Sequence, residues 1–311
     1  MSSLHSHVKQ TCQVLLGTLE FCTEDLGFRH ALERLLAQTV ARLDGEPLPW
    51  LALPILTCEA STDAQERMEA AYQIAAAWEL GNLAAGYLDA WQDHDTDGAL
   101  WQEIGPERTV NLAVGLIALS LLSLSRLDRL SFSTSKTMEV QHQFQLTLLR
   151  MVEGQHVDLR DHLSLKDCEK VAAAKSGSLF RLGCWAGAFA AGATPEAASR
   201  YGDFGYNLGL LVQAWNDIYG LKGAMGKSDV EHRRTLPIVA ALALDEDGAR
   251  DQGSVLQSPE GRAGELYTLA QVGLLHQQAV DALAHCPARG RLSLFLDAYS
   301  IERHLVSGGE T

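Results

Sequence analysis

Proline is scarce in this 311-residue chain, with 8 residues, and no stretch gathers enough of it to mark a hinge or a low-complexity linker. Alternation of apolar and polar residues at the two-residue period of a half-buried strand is almost missing, which argues against a sheet-based fold. Positive charge is also short. The 25 Lys and Arg stand against 39 Asp and Glu, a net charge of -14. Non-specific binding of a phosphate backbone requires a basic face, so no nucleic acid is expected as a partner. Any polyanion bound here should bring its own cations. The six cysteines, at 12, 22, 58, 168, 184 and 286, form no CxxC or Cys/His cluster, and they read as reduced thiols in apolar periodic runs. The N-terminus lacks a basic, apolar leader, and the longest apolar run, Leu112 to Leu124, is interrupted by Ser120 and Ser123. That run reads as a buried helix and no membrane span is expected, which points to a cytoplasmic protein.

What the chain does have is a helical pattern. Hydrophobic residues make up 47% and charged residues 21%, a balance suited to one large core, so a single domain is expected over residues 1–311. Amphipathic helices are predicted over 5–22, 28–43, a run through Met68, Ala71, Tyr72, Ala75 and Ala76 towards Asp89, 107–125 and 136–161. Ser164-Leu-Lys-Asp167 resembles a capping box opening a helix through Phe189, and Thr194-Pro195 opens one that runs to about Leu221. Leu236-Pro237 begins a further helix to about Leu244, Asp245 to Gly261 reads as a surface loop, and helices over 262–285 and 291–305 finish the chain. The expected fold class is all-α: a bundle of ten or more helices in one domain.

The most informative stretch lies between Leu88 and Gly98, where Asp89, Asp93, Asp95 and Asp97 fall within nine residues. If the preceding helix persists, Asp89 and Asp93 share one face a turn apart. Two carboxylates held close repel, so the pair makes most sense around a cation. The bland alternative is a solvated acidic helix end. Other polar residues line up with core positions: Gln155 and Asp158 with Met151, Lys175 with Leu179 and Leu182, Gln213 and Asp217 with Tyr206 and Leu210. Each alone could cap a helix, snorkel or cross-link. Together, carboxylates around hard cations plus lysines form the site a diphosphate needs.

In ordered patches from about residue 40 to residue 240 the sequence resembles the trans-polyprenyl diphosphate synthase family of isoprenoid synthases. Asp89-Ala90-Trp91-Gln92-Asp93 is similar to its first aspartate-rich motif, and Gly154-Gln155-His156-Val157-Asp158-Leu159 to its Gly-Gln-x-x-Asp-Leu patch. Lys175-Ser176 resembles the Lys-Thr segment, and Gln213-Ala214-Trp215-Asn216-Asp217 the second aspartate-rich motif. Gly226-Lys227-Ser228-Asp229 and Arg234-Thr235-Leu236-Pro237 resemble the closing elements. The resemblance implies an isoprenoid synthase fold around a central cavity, a likeness to the family's homodimers, and more than one magnesium ion bridging the acidic motifs and an allylic prenyl diphosphate. It assigns metal and catalytic roles to Asp89, Asp93, Asn216 and Asp217, and diphosphate binding to Lys175, Gln213, Lys227 and Arg234. Ala84, Ala85, Trp91, Gln155, Trp215 and Tyr219 would line the cavity. Small residues at 84 and 85 imply room for a C15 to C20 chain.

The departures narrow the activity. Where the family binds isopentenyl diphosphate with Gly-Lys-Arg-x-Arg-Pro, this chain has Gly45-Glu46-Pro47-Leu48-Pro49-Trp50, and no arginine follows Asp93 through Trp101. A carboxylate and a tryptophan cannot replace guanidinium donors, so chain elongation should be impaired or absent. The expected outlet is a terpene or terpene alcohol. The alternatives are transfer to another acceptor, residual elongation, or a non-catalytic subunit. A calcium-binding loop at Asp93-x-Asp95-x-Asp97-Gly98 fails at its closing position, where Ile104 stands and Glu103 comes one residue early.

Overall fold

The computed structural model describes residues 2–22, 26–62, 65–93, 98–130, 132–160, 163–221, 235–245 and 251–301, and these are helical with no strand among them. The chain gathers into two compact units. One comprises Met1–Leu148, Leu182–Gly202 and Cys286–Leu292, the other Leu149–Arg181, Asp203–His285 and Ser293–Thr311.

In the first unit, α4 (Gln65–Gln92) packs against α1 (Ser2–Gly17), α3 (Ala52–Ser61) and α6 (Pro106–Ser125). Its alanine-rich middle lets neighbours approach closely, and Ile74, Ala75, Ala76, Ala77 and Trp78 are all fully buried. Two further helices are α2 (Leu26–Gly45) and α5 (Ala99–Ile104). Helix α5 follows the acidic stretch directly and was not predicted.

Helix α6 agrees with the helix predicted over 107–125 and with its reading as a buried helix. With the 3-10 turn that extends it, Pro106–Arg129 is long and apolar enough to cross a membrane by length and composition. The serines do not interrupt it, because the Ser120 hydroxyl donates back to the Ile117 carbonyl at 2.7 Å inside the helix. On its inner face, Leu112, Ala113, Leu116, Leu119 and Leu124 are buried, and the Gln73 amide of α4 donates to the Ser123 carbonyl at 3.0 Å. Buried polar contact with α4 marks it as a core helix.

Helix α7 (Thr134–Asp158) contributes to both units. In the second unit the Ser164 capping box is present, with the Asp167 N–H donating to Ser164 Oγ and the Ser164 N–H to the Asp167 carboxylate. The helix it opens runs without a break past Phe189, as expected, but with a change of winding that was not predicted. Helix α8 (Leu165–Ala172) passes through a π-turn (Ala173–Gly177) into α9 (Ser178–Ala190). Beyond it lie α10 (Pro195–Leu221), opened as predicted by an N–H of Ala197 donating to Thr194 Oγ1 at 3.2 Å, and α11 (Leu236–Leu244). The expected loop Asp245–Gly261 instead holds a short α12 (Gln252–Leu256), whose N-cap Asp251 accepts from the Ser254 N–H at 2.8 Å. Helices α13 (Pro259–Ala284) and α14 (Ser293–Ala298) complete the described fold.

Candidate functional site

In the first unit, α4 carries the first acidic pair. The Asp93 N–H donates to the Asp89 carbonyl at 2.9 Å, so helical geometry reaches Asp93 and the two carboxylates stand one turn apart. Both are half-buried. Ala84 is fully buried and Ala85 half-buried, while Trp91 turns outward at 46% exposure. The Tyr87 ring on α4 meets Trp101 of α5 at 5.8 Å between centroids.

Arginines do occur near this end of the unit, on α2, but carboxylates hold them. Arg42 donates to Glu46 at 2.6 Å and to Glu79 of α4 at 2.7 Å, and Arg34 pairs with Glu103 of α5. Glu79 is 1% exposed, and burial pushes its carboxyl up to about 7 against the opposing pull of the Arg42 guanidinium. Sequence reasoning passed over Glu79. Its only signal is a lone acid inside an otherwise apolar run, Ala75 to Leu80.

The second unit assembles a different cluster. Lys175, on the π-turn, donates to Asp158 at 2.9 Å and to the Gln155 side-chain carbonyl, both on α7. Gly154 makes that approach possible: a β-carbon there would stand 2.7 Å from the Ala174 Cβ and 3.2 Å from the Lys175 Cγ. The next residue, Ser176, turns towards α10 and donates to Gln213 Oε1 at 2.7 Å. Gln213 Nε2 donates to Asp217 Oδ1 at 2.9 Å, and Asp217 Oδ2 accepts the Leu236 N–H of α11 at 3.1 Å. Cys168 of α8 belongs to this neighbourhood, since its thiol is pushed up to about 12 by burial first and then by Asp217 and Asp158.

Two polar groups in this unit are left over. Gln155 Nε2 and Thr235 Oγ1 are buried and make no hydrogen bond among the described residues. Burying such groups unpaired costs roughly 1–3 kcal/mol each, so in a working protein they call for a ligand to complete them. A lysine ammonium with a spare amide donor beside it suits an anion rich in acceptor oxygens.

The remaining candidates are spread more widely. Asn216 is exposed, one position away from Asp217 on the helix. Trp215 is buried, with its indole N–H donating to the Tyr299 carbonyl at 3.0 Å and its ring stacked on Tyr219 at 5.7 Å. Burial raises the Tyr219 hydroxyl above its ordinary value. Lys227 and Arg234 lie outside the described residues. No group of three or more His, Cys, Asp or Glu able to hold a metal occurs among the described residues. The Asp89/Asp93 pair fits a hard cation in a narrower sense. It offers carboxylate oxygens a turn apart, and a diphosphate and water would have to complete the coordination.

The profile of the family described as polyprenyl synthetase matches residues 52–264. The chain belongs to the polyprenyl synthetase family. Its fold matches a polyprenyl synthetase from Streptomyces coelicolor A3(2), with a TM-score of 0.79 at 22% identity over 96% of this chain and 99% of that one. The fold is the all-α isoprenoid synthase fold. Among curated relatives, the tryptophan prenyltransferase ComQ of Bacillus subtilis (strain 168) is 26% identical over 189 residues, 60% of either chain. A geranylgeranyl diphosphate synthase of Mycobacterium tuberculosis is 29% identical over 155 residues, 44% of either chain. The alignments thus span less than two thirds of these relatives' lengths.

Proposed function

We propose that this chain ionises an allylic prenyl diphosphate, C15 to C20 favoured, and passes the prenyl group to an acceptor other than isopentenyl diphosphate. The observation that carries the reading is the contrast in how cations are engaged. Arg42 and Arg34 are held by Glu46, Glu79 and Glu103, whereas Lys175 sits beside an amide donor still in need of an acceptor. A second diphosphate would have to compete with those carboxylates for the arginines.

Asp89 and Asp93 would hold magnesium, which when bound neutralises the charge that develops on the departing diphosphate. In the second unit, Lys175 and the Gln155 amide donate to diphosphate oxygens and strengthen as the carbon-oxygen bond breaks and its electron pair moves to the leaving group. The acceptor then supplies the electrons for the new carbon-carbon bond and loses a proton. Similarity to a protein described as a tryptophan prenyltransferase favours an indole ring as that acceptor over water or an internal double bond. Helix α6 supports a homodimer: its outward residues Asn111, Val114, Ala118, Leu122 and Ser125 carry no charge, and Val114 is 55% exposed. Leu122→Lys should shift a sedimenting dimer towards monomer; a monomeric wild type would remove that reading.

The deciding experiment incubates the protein with magnesium and C10 to C20 prenyl diphosphates, alone, with isopentenyl diphosphate, and with a tryptophan-containing peptide. A prenylated peptide is expected. Products longer by one isoprene unit would overturn the reading, and a terpene or terpene alcohol formed without peptide would replace transfer by cyclisation or capture by water.

A further inference from the structure

Asp217 sits where the family resemblance places a metal ligand, yet its surroundings give it another task. Helix α11 begins at Leu236 with Thr235 as N-cap, and the Thr235 side chain caps nothing. Proline at 237 removes the next N–H, so the Leu236 N–H is the first backbone donor of the helix in need of an acceptor. That acceptor is Asp217 Oδ2, from α10, at 3.1 Å. The other oxygen, Oδ1, is held by Gln213 Nε2 at 2.9 Å, and Gln213 is itself fixed by Ser176 at 2.7 Å. Close approach of α10 to the π-turn underlies the last contact, since a β-carbon at Gly209 would collide with the Ser176 carbonyl.

We infer that Asp217 is a tertiary N-cap for α11, oriented by Gln213 and Ser176, and that it acts on the proposed prenyl-transfer reaction as a positioning residue. The inference deepens the proposed function and rests on it only for its kinetic consequence. A carboxylate at a helix N-terminus is favoured by the peptide dipoles as well as by the hydrogen bond. It ties the start of α11 to the residue pair Lys175-Ser176, so the segment that carries Thr235 is placed relative to the diphosphate donors. Asn216, its neighbour in the motif, is exposed, and Gly220 has no side chain to offer a ligand. The first acidic pair on α4 stands in contrast, with two carboxylates at helical spacing.

The test compares Asp217→Asn, Asp217→Ala and Asp93→Asn. Asparagine keeps an acceptor oxygen for Leu236, and Gln213 can reverse its amide to match. Amide exchange at Leu236 should stay protected in Asp217→Asn and accelerate about tenfold or more in Asp217→Ala. For the turnover that remains, the magnesium concentration giving half-maximal rate should stay within about twofold of wild type in Asp217→Asn, against a shift of roughly 10–100-fold in Asp93→Asn. Unchanged Leu236 exchange in Asp217→Ala overturns the cap. A magnesium shift in Asp217→Asn as large as that in Asp93→Asn overturns the positioning role. If the wild type turns over no prenyl diphosphate, the proposed function falls, and the exchange comparison still decides the cap.

Discussion

Two regions of the molecule hold cationic side chains next to carboxylates, and they differ in what is left unsatisfied. Along α2, Arg42 pairs with Glu46 and with Glu79 of α4, and Arg34 pairs with Glu103 of α5. Around the π-turn, Lys175 has an acid and an amide carbonyl, but the amide nitrogen of the same glutamine is buried without a partner. The first arrangement is closed and works as structure. The second is incomplete, and incompleteness of buried donors marks a place for a ligand better than charge does.

Three perturbations would break or sharpen that comparison. The largest effect is expected at the acidic pair of α4: Asp89→Ala or Asp93→Ala should lower diphosphate release from farnesyl diphosphate by roughly 10²–10³-fold or more. Retained turnover in both variants would remove these residues from the metal site. A smaller loss is expected from Gly154→Ala, which pushes a methyl into Ala174 and Lys175 while leaving every donor chemically intact. Its kcat/KM should fall about 10-fold through KM, since a displaced lysine weakens diphosphate binding in the ground state as well as the transition state; an unaltered KM would mean that the π-turn yields without moving Lys175.

The mildest change concerns the closed region and reads stability. Glu79 has its folded carboxyl raised to about 7 from 4.5, with burial the principal cause. A raised acid holds its proton in the folded state while the unfolded chain has already released it. Its contribution is therefore fully present below about pH 4.5 and declines as pH rises towards 7. Denaturant titrations of wild type across that window should show stability falling by something on the order of 1–3 kcal/mol that Glu79→Gln does not show. Parallel slopes in the two proteins would mean that Glu79 is charged throughout.

Much of the fold could be read from the chain because the apolar spacing is helical almost everywhere and because several caps are local. Ser164 and Thr194 announce α8 and α10 from within their own segments. Asp89 and Asp93 were legible as a pair for the same reason: their relation depends only on one helix continuing. What escaped depends on neighbours distant in sequence. The π-turn has no composition of its own and is recognised by where Lys175 and Ser176 point. Glu79 looks like an interruption until Arg42, 37 residues away, is seen beside it. Asn216 and Asp217 are adjacent in the motif, yet about 100° of helical rotation leaves one exposed and the other inside a hydrogen-bond network.

The π-turn also sets a phase. One extra residue in Ala173–Gly177 rotates everything after it by about a quarter turn relative to a continuous α-helix, so α8 and α9 present faces that an uninterrupted helix could not align. Deleting a single residue there would restore ideal helix geometry and at the same time misdirect the whole stripe from Ser178 to Ala190. The segment is thus a place where regularity and function are opposed, and where length, more than residue identity, is what the fold has to keep.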